Sequence, residues 1–122
     1  MLRVLLVEDS VMLAERLREA LEQLDSVRVI GNVDGERDAI QAVRDHHPDV
    51  VVLDLQLRQG TGFGVLRALG KVRPVVIVLT NYALPEYKRQ AKEFGVEHFL
   101  HKSMDYERLA DVIAAVQADL RH

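Results

Sequence analysis

Five polar residues stand at the ends of apolar runs. Glu8 and Asp9 follow Leu2–Val7, Asp54 follows Val50-Val51-Val52-Leu53, Thr80 follows Val75–Leu79, and Lys102 lies just past Val96–Leu100. Carboxylates are seldom buried without a partner, so Asp54 reads as the point where a buried segment opens to solvent. Gathered at one edge, three carboxylates need a compensating cation. Two unit charges about 4 Å apart repel by roughly 4 kcal/mol at an effective dielectric near 20. An all-oxygen set of one or two carboxylates, a backbone carbonyl and waters suits Mg²⁺. Lys102 adds a second positive charge and Thr80 a hydroxyl donor. A carboxylate beside a metal, a lysine and a hydroxyl is arranged to receive a phosphoryl group. Carboxylates act as covalent nucleophiles, and cations neutralise the oxygens of the group in transit.

The elements that must position these residues can be read in order. Leu2–Val7, interrupted by Arg3, and Val50–Leu53 read as strands buried on both faces. Between them, Leu13, Leu17, Leu21 and Leu24 recur at a helical period, with Asp9 or Ser10 as the cap. Val27–Val33 is a further strand, with Val27, Val29 and Val33 on one face. Asp34-Gly35 marks a turn or cap. Ala39, Ile40 and Val43 give a short helix that stops near His46-His47-Pro48, because proline disfavours a helical residue before it. Arg58-Gln59-Gly60-Thr61-Gly62 is a loop. Phe63, Leu66 and Leu69 define a helix that Gly70 ends. Val75–Leu79 is a strand ending at Thr80. Pro85 suits a first helical turn, with Tyr87, Ala91 and Phe94 as its apolar stripe and Gly95 closing it. Val96–Leu100 is a short strand ending at His101-Lys102. Asp105 caps a last helix whose Leu109, Val112, Ile113, Val116 and Leu120 face inward.

Five strands alternating with five helices predict an α/β fold with a parallel sheet and helices on both faces. The length suits a flavodoxin-like, doubly wound (βα)₅ sheet of order 2-1-3-4-5. Its crevice then lies between the ends of strands 1 and 3.

Bulk properties exclude several classes. The 122 residues suit one domain, 1–122. With 48% hydrophobic and 29% charged residues the balance is that of a globular chain. A net charge of −3 gives no case for direct nucleic-acid binding. Cysteine is absent, which excludes disulfide and thiol chemistry. No apolar run approaches a membrane span and no signal-peptide pattern opens the chain, so a soluble cytoplasmic protein is expected.

Glu8-Asp9 after strand 1, Asp54 after strand 3, Thr80 after strand 4 and Lys102 after strand 5 together resemble the receiver domain of two-component response regulators. The resemblance covers nearly the whole chain. It implies that Asp54 accepts a phosphoryl group from a sensor histidine kinase or phosphotransfer protein. It further implies that Asp9, Asp54 and the Gln56 backbone carbonyl hold Mg²⁺, with Glu8 acting through water or by orienting the site. Lys102 would pair with the phosphoryl oxygens, Thr80 would turn its hydroxyl toward them, and Phe99 would be the switch aromatic that packs inward. Gained bonds of that kind shift a population between two conformations. The readout would be the surface of the fourth helix, fifth strand and fifth helix, where an output domain, a partner or a second copy docks. The protein is then a switch, not an enzyme acting on external substrate. Tyr82 and Gln56 would flank the path of a hydrolytic water and slow loss of the phosphoryl group.

The chain departs from the family pattern at two places. Ser103 follows Lys102 where the family has a proline with a cis bond. A cis bond before a non-proline residue costs about 3–4 kcal/mol, so the bond is either trans with a rebuilt loop or held in a costly geometry. Arg58 stands where a proline is common. Ser in place of a proline, as at Ser103, also occurs in regulators carrying a helix-turn-helix output domain, a hint that this chain is the receiver part of such a protein.

Three rivals remain. A haloacid-dehalogenase-like phosphatase uses the same residue types but places a second Asp two residues after its nucleophile, where this chain has Gln56. A flavin or nucleotide binder needs a phosphate-cradling loop after strand 1, where Glu8-Asp9 would repel the anion. The third is a pseudo-receiver that binds partners without phosphorylation. Alone, Asp9 reads as a helix cap, Thr80 as a strand end, Lys102 as a solvated charge and Phe99 as core. His46, His47, His98, His101 and His122 read as surface or turn residues. Lys88, Arg89 and Lys92 read as a solvated helix face, and Tyr87 as packing.

Overall fold

The computed structural model describes residues 1–71, 73–103, 105 and 107–120. Strands β1 (Leu2–Val7), β2 (Val27–Val33), β3 (Val50–Leu53), β4 (Val75–Thr80) and β5 (His98–His101) form one sheet in the order β2-β1-β3-β4-β5. All four pairings are parallel. Helices α1 (Val11–Glu22), α2 (Glu36–His46), α3 (Gly62–Leu69), α4 (Pro85–Glu93) and α5 (Arg108–Leu120) alternate with them. The fold is the flavodoxin-like sheet that the alternation predicts.

Side chains that alternate along each strand feed two cores. Leu2, Val4, Leu6, Val50, Val52, Ile77 and Leu79 pack with Leu17 and Leu21 of α1 and Leu109 and Ile113 of α5. Leu5, Val7, Val51, Leu53, Val76 and Val78 pack with α2, α3 and α4 through Ala39, Val43, Val65, Leu66 and Ala91. Both cores being apolar explains why β3 is an unbroken hydrophobic run. The burial leaves each strand's polar end at the same edge.

The expected punctuation is largely in place. Ser10, not Asp9, caps α1, its hydroxyl accepting from the Leu13 N–H at 3.2 Å. Gly35 is the N-cap of α2, and His47, left-handed at φ 46°, ends it before Pro48. The guanidinium of Arg3 donates to the His46 and His47 carbonyls there. Pro85 opens α4, and Tyr87 and Phe94 flank the ring of Phe63 at 6.1 Å. Tyr87 is thus a packing residue.

Five expectations need correction or an answer. Val33 does not share a face with Val27 and Val29. The β1–β2 register skips one residue at Ile30, so Gly31 faces Leu5 and Val33 faces Val7. Such a bulge inverts every later side chain, and Val33 joins the α2–α3–α4 core. Leu120 is 53% exposed at the end of α5 rather than inward. Strand β5 runs from His98 to His101, so both histidines are half-buried strand residues rather than surface or turn positions, while Val96 is buried ahead of the strand. The Asp105 carboxylate accepts from the His101 N–H at 2.9 Å and from Arg108, tying the loop back to β5. Among the described residues no peptide bond is cis, so Lys102–Ser103 is trans. His122 lies outside the described residues.

Candidate functional site

The carboxylates meet where β1 and β3 end. The Glu8 N–H donates to the Val33 carbonyl and the Asp54 N–H to the Val7 carbonyl, which sets the two acids side by side past the last sheet bonds. Both are buried, at 3% and 4% exposure, and Asp9 is half-buried beside them. Carboxylate oxygens of Glu8, Asp9 and Asp54 all lie within 4.8 Å of one another. Full burial of paired acids is costly unless cations or donors compensate.

Lys102 supplies that compensation. Its N–H bonds to the Thr80 carbonyl, which places it at the end of the β4–β5 pairing. Its Nζ lies 2.6 Å from Glu8 Oε1 and 2.6 Å from Asp54 Oδ2. Remaining acceptor sites are taken by backbone donors, Ser10 N–H to Glu8 Oε2 at 2.7 Å and Gln56 N–H to Asp54 Oδ1 at 3.1 Å. One ammonium balances one of three carboxylates, so the cluster still attracts cations.

The titration behaviour follows. Burial pushes the Glu8 carboxyl above its ordinary value, against the opposing pull of Lys102 and the Ser10 N–H. Burial alone would lower the Lys102 ammonium, but its bonds to Asp54 and Glu8 outweigh that and hold it above the ordinary lysine value.

Thr80 is fully buried at the end of β4, its Oγ1 accepting from the Tyr82 N–H at 3.2 Å. Tyr82 itself is 44% exposed. Phe99 is half-buried on β5 against the α2–α3–α4 core, with Lys88 Nζ 5.8 Å from its ring centroid. That contact gives Lys88 a partner beyond solvent, while Arg89 and Lys92 are exposed. Gln56 is exposed in the loop after Asp54, where it bridges Thr61.

The structure therefore brings Glu8, Asp9, Asp54 and Lys102 into one cluster and sets Thr80, Gln56 and Phe99 on elements around it. The sequence offered Ser10 as a cap but not its bond to Glu8, and it gave no sign of Glu36. Ser10 both caps α1 and bonds Glu8. Glu36, at the start of α2, donates its N–H to Gln59 and accepts from the Thr61 N–H. The Gly60-Thr61-Gly62-Phe63-Gly64 run signals that something packs closely there. It does not say what.

The donor set fits Mg²⁺. Three hard carboxylate groups converge without a sulfur or imidazole among them. Glu8, Asp9 and Asp54 could together hold such an ion.

Residues 4–114 match the family described as response regulator receiver domain. The sensory transduction protein LytT of Bacillus cereus is 32% identical over 115 residues, covering 93% of this chain and 46% of LytT. Transcriptional regulatory protein DesR of Bacillus subtilis is 31% identical over 116 residues, covering 95% of this chain and 58% of DesR. The chain spans about half the length of these relatives. A solved two-component response regulator of the LuxR family from Aurantimonas sp. SI85-9A1 superposes with a TM-score of 0.87 at 25% identity, over 96% of this chain and 85% of that one. The response regulator domain of Thermotoga maritima CheB shares the fold at 19% identity, with a TM-score of 0.86 over 100% of this chain and 98% of that one. With a match running from Val4 to Ala114 and relatives above 30% identity over most of its length, the chain belongs to the response regulator receiver domain family of two-component systems.

Proposed function

We propose that this chain is a phosphorylation-dependent signalling switch whose phosphoacceptor is Asp54. The observation that carries the reading is the buried Asp54 carboxylate bonded at 2.6 Å by Lys102 inside an acid cluster. An Asp54 oxygen attacks the phosphorus of a phosphohistidine on a sensor kinase or phosphotransfer protein. The new P–O bond forms as the P–N bond breaks, and the imidazole is the leaving group. Bound Mg²⁺ would supply positive charge at the transferring oxygens. Asp9 and the Gln56 carbonyl would hold that ion with Asp54, and Glu8 would act through water or by holding Lys102. Lys102 moves its bond from the carboxylate to a phosphoryl oxygen.

Thr80 then trades the Tyr82 N–H for the phosphoryl group, and Phe99 packs into the space its movement opens. Each new bond exists in one conformation only, so that conformation gains population. The α4–β5–α5 surface passes the change to an output domain, a partner or a second copy of the chain. Relatives named as transcriptional regulators and the half of their length outside the match support a DNA-binding output, such as a helix-turn-helix domain. Residues 1–122 are one receiver domain in this reading. Among the described residues no helix is long and apolar enough to cross a membrane.

Incubation with acetyl phosphate, followed by intact mass, tests the reading. We expect one phosphoryl adduct that needs Mg²⁺ and is absent in Asp54→Asn. No adduct, with no Mg²⁺ binding, overturns it in favour of a pseudo-receiver that acts through partners of the unmodified chain.

A further inference from the structure

The loop after Asp54 is fastened along its length. Leu55 and Leu57 are buried beneath it. Gln56 N–H bonds back to Asp54 Oδ1, and Gln56 bridges Thr61 across the loop. Arg58 N–H donates to the Asp34 carbonyl at 3.1 Å, and its side chain meets the Asp34 carboxylate at 3.3 Å. Gln59 runs beside Gly35 and accepts from the Glu36 N–H at 2.8 Å. The last fastening is a side chain, Glu36 Oε1 accepting from the Thr61 N–H at 3.0 Å.

Glu36 fits a slot made for it. A Cβ added at Gly60 would stand 2.5 Å from the Glu36 side chain, and one at Gly64 would stand 2.1 Å from it. The two glycines leave space that the carboxylate fills. Glu36 sits in the first turn of α2 and against the first turn of α3, so the positive ends of two helix dipoles face its charge. The same loop carries Gln56, whose carbonyl the reading above assigns to the cation.

We propose that Glu36 is a positioning residue for the Asp54 site, locking the loop after Asp54 in the shape that presents the Gln56 carbonyl to Mg²⁺. Metal affinity is then set partly by a carboxylate outside the acid cluster. The proposal rests on the Mg²⁺ reading of that cluster.

Calorimetric Mg²⁺ titration of the whole chain, beside thermal unfolding without Mg²⁺, tests it. Glu36→Ala should weaken Mg²⁺ binding roughly tenfold, the lower end of the effect of losing a group that orients a metal ligand. Glu36→Gln keeps the acceptor for Thr61 and should stay within about twofold of the parent. Amide exchange at Thr61 should quicken in the first variant and not in the second. If Glu36→Ala does not fold, Glu36→Asp, one methylene too short to reach Thr61, takes its place. A folded Glu36→Ala or Glu36→Asp that binds Mg²⁺ as the parent does overturns the role of Glu36. A parent that binds no Mg²⁺ fails the reading of the acid cluster instead, and the inference falls with it.

Discussion

Lys102 Nζ and Asp54 Oδ2 are 2.6 Å apart although 48 positions separate them in the chain. The pair closes β3 against β5 across the intervening β4, and Glu8 shares the same ammonium. Lys102→Met leaves buried carboxylates without their cation. It should cost about 3 kcal/mol in urea unfolding, the scale for breaking a buried pair. The parent has a matching pH signature. The folded Lys102 pKa lies above the ordinary value of 10.5, so its contribution is complete below that value and is lost as pH rises through the folded one. Unfolding midpoints followed into the alkaline range should show that loss in the parent and not in Lys102→Met.

Asp9 adds negative charge to a cluster already short of cations. Asp9→Asn should therefore stabilise the Mg²⁺-free protein by about 1 kcal/mol, a stability gained at a position proposed to hold the cation. Mg²⁺ should raise the melting temperature of the parent, and the same variant should lose that rise. A variant that is destabilised without Mg²⁺ would show that Asp9 has a structural partner outweighing the repulsion.

Gly62 begins α3 with its backbone pressed on the residue that bears the carboxylate. An added Cβ would stand 2.5 Å from the Asp54 carbonyl oxygen and 2.9 Å from Leu55 Cα, both backbone atoms. Gly62→Ala should cost about 2–3 kcal/mol, the upper part of the range for overpacking, and should also weaken Mg²⁺ binding. Gly70→Ala is the contrasting case, strained by its φ of +71° but with open space around the new methyl. It should cost about 1 kcal/mol and leave Mg²⁺ binding unchanged. Equal effects of the two on binding would break the link between Gly62 and the site.

Tyr82 is 44% exposed two residues past Thr80, held by its N–H on the Thr80 hydroxyl. If its ring covers the approach of the hydrolytic water, Tyr82→Ala should shed the phosphoryl group several-fold faster. The rate is read as phosphate release after the donor is removed. An unchanged rate assigns Tyr82 no part in phosphoryl lifetime.

Apolar runs and the acid or hydroxyl that ends each one are local patterns, and they were enough to order the sheet and to name Glu8, Asp9, Asp54, Thr80 and Lys102. Local patterns suffice there because a strand buried on both faces must be a continuous apolar run. Whatever polar residue ends that run must then emerge at the sheet's edge. The tertiary structure alone decided matters that depend on partners distant in the chain. An unpaired Ile30 between Val29 and Gly31 turned Val33 to the other core, and no periodicity in β2 alone shows where its ladder slips. Leu120 continues a helical stripe yet extends past the core it would fill. Asp105 looks like a cap, but the His101 N–H claims its carboxylate. Glu36 had no signal of its own, since its slot is built by Gly60 of a distant loop and Gly64 of α3. Periodicity records which face of an element is apolar. Register, closure and loop-to-loop bonds arise only when two distant segments meet.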